Sequence, residues 1–397
     1  MSDNILYHLV QPSNQKSSPG GYREAENVDF DLAFEGRKFI SGSLRLEGDV
    51  QVFSDGGTTR VDPTAAAASD CKIDGRVGAH SFCSSFVTSF QNVGNVENLQ
   101  SYPRLVAMKG AGQMSKNDMN NSDMVCEMRT PDPTLANKSI FKRVPKDYGG
   151  GGVGLVAGAT AASQLKASME TDPSFSIKPL IGLNTLVGPN QTISYGQTGM
   201  IKITVNLEKN MGVLFGGDVT TAYTYRLQNL RMTFRSVPDD GQMAPVVMRT
   251  SLSIKNSMTS NVNNISSKVP AVCDSVTISY LPQVREYAPN FNNMALEEPP
   301  GFSKITYSFN DALNRFVTYQ IDSKAEMGRR ALDSIDFDGS STMTLERIST
   351  NDGFLQGLSW EALVDLSNQK FNINSETLVS SSRPYIQFSY FHSLRKF

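Results

Sequence analysis

The sequence predicts an all-β chain built as an antiparallel sandwich with a few short helical inserts. Three observations carry this reading. Apolar residues recur with a period of two, the runs are separated by Gly, Pro, Asn and Asp clusters, and no strand–helix alternation runs along the chain. The 397 residues leave room for one large or two ordinary domains. With 19% charged and 9% aromatic residues, the bulk of the chain folds rather than staying disordered.

Residues 1–27 are polar and broken by Pro12, Pro19 and Gly20-Gly21, so they read as an N-terminal arm that becomes ordered against a neighbouring subunit. Phe30, Leu32 and Phe34 then alternate with Asp31 and Ala33. Beyond a turn at Glu35-Gly36, Leu44, Leu46, Val50 and Val52 alternate with charged and polar neighbours. Ile201, Ile203, Val205 and Leu207 repeat the pattern. Tyr223, Tyr225 and Leu227 share one parity and Leu230, Met232 and Phe234 the other. That switch at Gln228-Asn229 predicts a β-bulge, or else two short strands with a turn between them. Val276, Ile278 and Tyr280 follow, then Ile305, Tyr307 and Phe309, which turn at Asn310-Asp311 into Val317, Tyr319 and Ile321. Ile386, Phe388, Tyr390 and His392 form a last strand, expected to pair inside the sandwich because a bare edge invites uncontrolled pairing.

Helix signals are confined to Glu97–Met108, starting near Pro103, to Ala159–Met169, and to Ala325–Leu332 despite Gly328. Residues 54–76 and 110–165, the latter holding the Gly149–Gly152 tetrad, have no strand period and read as long connections. No short-period repeat is present, which disfavours propellers and solenoids. The predicted organisation is an arm over 1–27, a sandwich over 28–237 with an insertion around 110–165, and a second β-region over 238–397 that completes or extends the sandwich.

Charge and cysteine content narrow the function. A net charge of −2 gives no global case for wrapping nucleic acid or docking on an anionic membrane. Four scattered cysteines, Cys71, Cys83, Cys126 and Cys273, suit a reducing compartment better than a disulfide scaffold. The N-terminus has no leader pattern, and the longest small-apolar stretch, Val153–Ala162, is about half the ~20 residues that span a bilayer. The chain is therefore expected to be non-secreted, and the Asn-x-Ser/Thr triplets at Asn120, Asn137, Asn190 and Asn264 carry no weight as glycan sites.

The search for chemistry yields little. Of His8, His80 and His392, only His80 is a candidate base or ligand, and with Cys71 and Cys83 it lacks paired metal-ligand spacing. Cys83 and His80 at i, i+3 on one strand would point to opposite faces. Glu297-Glu298 and Asp239-Asp240 sit beside prolines and read as solvated turns. Gly149, Gly151 and Gly154 fit a dinucleotide fingerprint in form only, since no buried strand precedes them. The basic pairs Lys142-Arg143, Arg329-Arg330 and Arg395-Lys396 read as solvated faces or intersubunit ion pairs. A carbohydrate- or receptor-binding loop cluster would draw on Tyr287, Phe291 and Glu297. No catalytic, cofactor or metal residue is expected.

A block of motifs points further. Gly78-Ala79-His80-Ser81-Phe82 is followed by Asn95-Val96-Glu97-Asn98-Leu99 and Tyr102-Pro103-Arg104-Leu105. With Phe175–Leu180, Met200–Leu207 and Asp365–Gln369, the block resembles minor capsid or penton-type proteins of virophages, polinton-like viruses and related double-stranded DNA viruses. The resemblance implies a jelly-roll β-sandwich with a second or inserted β-domain. It implies a structural role in the virion and partners that are copies of the chain, as pentamers before trimers, and other capsid proteins. It carries no enzymatic residues, and His80 becomes a structural one. The alternatives are a double jelly-roll major capsid protein forming trimers, and a receptor- or carbohydrate-binding sandwich.

Overall fold

A computed structural model of the chain describes residues 4–397, except 15–19, 63–70, 114–125, 130–136, 142–172, 188–190, 217–221, 243, 270–271, 311–312, 314, 336–347, 349–352 and 368. The expected helix Ala159–Met169, the glycine tetrad and Lys142-Arg143 lie outside the described residues.

The first half contains β1 (Leu6–Val10), β2 (Asn27–Leu32), β3 (Arg37–Ile40), β4 (Arg45–Ser54), β5 (Thr59–Arg60), β6 (Lys72–Asp74), β7 (Cys83–Phe90), β8 (Gly94–Leu99), β9 (Asn137–Ser139), β10 (Ser174–Ile177), β11 (Thr192–Ser194), β12 (Ile201–Leu207) and β13 (Thr224–Pro238). Strands β3 and β4 pair in line along one side of β13 and act as one interrupted strand, flanked in turn by β10 and β11. β1 pairs with the opposite side of β13. With β3/β4 and β10/β11 each taken as one, and the short β5, β6 and β9 set aside, the first sheet runs first–eighth–third–sixth and the facing sheet, β2–β12–β7–β8, runs second–seventh–fourth–fifth.

The second half contains β14 (Val247–Met258), β15 (Val262–Lys268), β16 (Val272–Pro282), β17 (Lys304–Asn310), β18 (Phe316–Ile321), β19 (Gln356–Asp365), β20 (Lys370–Glu376) and β21 (Tyr385–Lys396). Its sheets, β14–β21–β16–β19 and β15–β20–β17–β18, repeat the same permutation. Both halves are therefore jelly rolls, two antiparallel sheets woven by Greek-key crossings. The second β-region builds a sandwich of its own.

The alternation read from sequence maps onto these strands. Val28, Phe30 and Leu32 of β2 and Ile201, Ile203 and Val205 of β12 are buried in the first core. Ile305, Tyr307 and Phe309 of β17 lie in the second. The bulge in β13 is present: its register against β4 shifts between Gln228 and Arg231, with Asn229 at φ 53°. The extra residue turns Leu230 and Met232 back to the face already occupied by Tyr225 and Leu227, so all four are buried. Helices are short: α1 (Tyr102–Gln113), which starts beside Pro103, α2 (Tyr195–Thr198), α3 (Asn210–Val213) and α4 (Lys324–Ser334).

One expectation needs correcting. Part of the arm is β1, paired antiparallel with β13 of its own chain from Leu6↔Ser236 to Val10↔Met232. His8 turns inward, stacks on Phe234 at 4.3 Å and lies 2.7 Å from Ser236 Oγ. Five alternating residues suffice for a strand once β13 supplies the ladder. The last strand, β21, pairs inside its sheet as expected, between β14 and β16, and these two central strands, β21 and β16, are buried on both faces. Ile386, Phe388 and Tyr390 pack into the first core and Phe391 into the second. Thr277, Ser279, Gln387, Ser389 and His392 are buried with them. Deleting residues 1–20 would strip β1 from β13 and uncover Phe234. We expect denaturant unfolding to register a loss of about 2–4 kcal/mol, from one short ladder and one large apolar contact.

Candidate functional site

The turn Gly78–Phe82 delivers His80 into the interior. Its Nδ1 lies 2.6 Å from Tyr102 Oη, and its Nε2 lies 3.3 Å from Glu127 Oε2. Tyr102 Oη also accepts the Leu180 N–H at 3.1 Å, so its own proton points at Nδ1 and favours a neutral imidazole. Burial, aided by Arg129, lowers the His80 pKa. Burial alone would raise the Glu127 carboxyl, but His80, Arg129 and the Lys178 N–H outweigh it and bring it down to about 2. Gly78 sits at φ +58° with Glu127 O and Met128 so near that a Cβ has no space, which fixes the turn against the 127–129 segment. The thiols of Cys71 and Cys83 are pushed up by burial, and no group of metal-binding side chains assembles among the described residues. His80 is held between Tyr102 and Glu127 as a buttress.

Several other residues singled out by sequence are also paired structurally. His392 is buried between Ser251 Oγ at 2.9 Å and Thr277 Oγ1 at 3.0 Å. Glu297 and Glu298 diverge, one to Arg285 and the other to Lys324. Lys38 binds both Asp239 and Asp240. Tyr287 is covered by Lys209 Nζ, 4.6 Å from its ring centroid, and Phe291 by the Arg285 guanidinium at 4.8 Å. Arg285 also binds Glu297, so these aromatics offer less open face than a sugar-stacking platform requires.

What the structure assembles instead is a polar junction between the two sandwiches. Asp74 and Arg76, both buried, pair at 2.6 Å. Arg76 donates to Met294 O at 3.0 Å, and Asn292 Nδ2 donates to Asp74 Oδ2 at 2.7 Å. Arg104 of α1 donates to Asn293 O and Ala295 O and lies 4.4 Å over the Phe388 ring. Tyr390 Oη donates to Ser101 O, and Arg395 to Val96 O. Beside them Glu97 is fully buried, accepting the Gly182 N–H on both oxygens at 3.1 and 3.0 Å. Burial pushes its carboxyl up to about 7, against the opposing pull of Gly182 and Arg395. Asp74 and Arg76 are not among the residues singled out from sequence, and Arg104 figures there only within the Tyr102–Leu105 motif. The signal was there: Asp-x-Arg ahead of the apolar turn, and an arginine on the first turn of a helix with little other charge.

Two expectations follow from the junction. Asp74→Asn leaves the Arg76 charge buried without its counter-ion, which costs about 3–5 kcal/mol in denaturant unfolding with far-UV circular dichroism unchanged. Glu97 binds its proton more tightly folded than unfolded, so its contribution falls as pH rises from near 4.5 to near 7. Glu97→Gln should therefore be more stable than the parent at pH 8, by about 3 kcal/mol at most, and close to it at pH 4.5. Unfolding curves at the two pH values measure the difference.

No family model matches the sequence, and no curated protein matches it either. Solved structures do. The Faustovirus major capsid protein aligns with a TM-score of 0.59 at 10% identity, covering 100% of this chain and 90% of that one. VP54 of PBCV-1, fitted into a cryo-EM reconstruction of the virophage Sputnik, gives 0.59 at 7% identity and covers 100% and 95%. A chain of the Sputnik virophage structure gives 0.51 at 10%, covering 99% and 85%. At these identities the likeness concerns the fold, and the chain is an all-β protein with the jelly-roll architecture of those viral proteins.

Proposed function

We propose that the chain is a structural subunit of an icosahedral virus capsid, located in the virion, with two jelly-roll domains and no catalytic role. The observation that carries this reading is the same strand permutation in both halves, fixed side by side by a buried junction. The order of contact is head-to-tail. The β8 edge and residues 182–187 of the first sandwich meet β14 of the second. Three such chains closing a ring would present six sandwiches in a pseudo-hexagonal capsomer, because a heterologous contact that closes makes a ring. This favours a trimeric major capsid subunit over the pentameric penton expected from the sequence motifs. The alignment along whole chains with the Faustovirus major capsid protein supports the same choice. Copies of the chain and other capsid proteins are its partners.

Mass photometry of the purified protein tests this. We expect a species at three times the 43.4 kDa chain mass and six-lobed, threefold class averages in negative stain. Five times the chain mass would return the penton reading, and a monomer at every concentration would sink the capsomer.

A further inference from the structure

The internal junction specifies which surfaces should meet between copies. Within the chain, β8 and residues 182–187, near the fifth and sixth strands of the first sandwich, lie against the first strand of the second, β14. Leu186 bridges Met248, the Val187 N–H donates to Val247 O, and the Arg249 N–H donates to Thr185 O. The contact lies close to one pole, where Phe90 at the end of β7 meets Phe397 at 5.7 Å. The outer face of β14–β21, bearing Phe388 and Tyr390, is covered by it.

Among the described residues, the corresponding surfaces at the two outer flanks are exposed. The counterpart of β14 is β1, and on its outer face Tyr7 is 74% and Leu9 58% exposed. The counterparts of β8 and the sixth strand are β18 and β19, where Phe316 is 70% and Leu363 47% exposed. β1 reads Leu-Tyr-His-Leu-Val and β18 Phe-Val-Thr-Tyr-Gln-Ile, with no Lys, Asp, Glu or Pro to guard the edge. Among the described residues each pairs on one side only, β1 with β13 and β18 with β17. Several other edges differ: β2 carries Asp29 and Asp31, β15 ends on Lys268, and β8 and β14 shield each other. The levels match too. Leu6 and Tyr7 sit opposite Ser236 and Arg235 near the end of β13, Phe316 opposite Asn310, and Leu363 two residues before the end of β19, all towards the pole where Leu186 meets Met248.

We infer that a second copy of this chain covers these flanks by repeating the internal junction: the β1 face with Tyr7 and Leu9 docks on the β18–β19 edge, with Phe316 and Leu363, of the next copy. Unguarded edges of this kind are tolerated in a folded protein when something covers them, and the internal junction supplies the template. The contact rests on the capsomer reading and names its surfaces.

Cross-linking of the full chain separates the two. Tyr7→Cys and Leu363→Cys are introduced singly and together, with a short bis-maleimide as the linker. Cys71, Cys83 and Cys273 are buried, and the parent chain controls for Cys126. The double variant should form covalent dimers and trimers, an equal mixture of the two single variants assembled together should form covalent dimers only, with one introduced cysteine per chain, and each single variant alone should match the parent. A head-to-tail contact brings position 7 of one copy to position 363 of the next and never to another position 7. As a second readout, Tyr7→Lys with Leu9→Lys should weaken association at least tenfold while leaving the monomer's melting curve in place. Trimers that fail to cross-link, or single variants that cross-link with themselves, overturn this contact and leave the capsomer reading standing. Absence of any association overturns both.

Discussion

Two neighbouring strands, β21 and β16, at the centre of the sheet β14–β21–β16–β19 are buried on both faces, and the rest of the molecule is arranged around that fact. A sandwich normally leaves the outer face of each sheet in water, so its outward positions are free to be polar. Here Ile386, Phe388 and Tyr390 belong to the first core while Phe391, Val276 and Ile278 belong to the second. The polar residues between them have no water to fall back on. His392 therefore sits between Ser251 and Thr277, and Thr277 also meets Ser334 of α4. An unsatisfied buried polar group costs more than a hydrogen bond returns, so these pairings lock β14, β16, β21 and α4 of the second sandwich together. Arg104 and the Asp74–Arg76 pair extend the same logic to the backbone of residues 292–295.

Much of the fold was legible because burial on one face writes itself as alternation. The β13 bulge was readable as a change of parity, and the helix start at Tyr102 as a proline. Strand β1 was not, since five residues with one exposed apolar face look like any polar arm until β13 lies beside them. The permutation of strands was also hidden. Parity states which face a residue takes and says nothing about which distant strand it pairs with, and the chain's two halves share an architecture without a sequence repeat. The junction was legible only in part. Alternation along β21 identified Ile386, Phe388, Tyr390 and His392 as buried, yet nothing in it said that they would leave their own sandwich for the neighbouring core. The carboxylate pairs are a converse case. Glu297 and Glu298 are adjacent in sequence, but their side chains diverge to Arg285 and Lys324.

The strand order also dictates a sequence of events in time. In each sandwich the strand that joins the first to the third is the eighth, β13 in one half and β21 in the other. His8 meets Ser236 across 228 residues, and Thr250 meets Ser393 across 143. Neither of these sheets closes during synthesis until its last strand emerges, so β1 and β3/β4, and later β14 and β16, wait with open ladders. Contacts at such separation make for slow folding and prolonged exposure of apolar surface. The hazard lies in the interval before β13 and β21 arrive, and a chaperone would be of most use there.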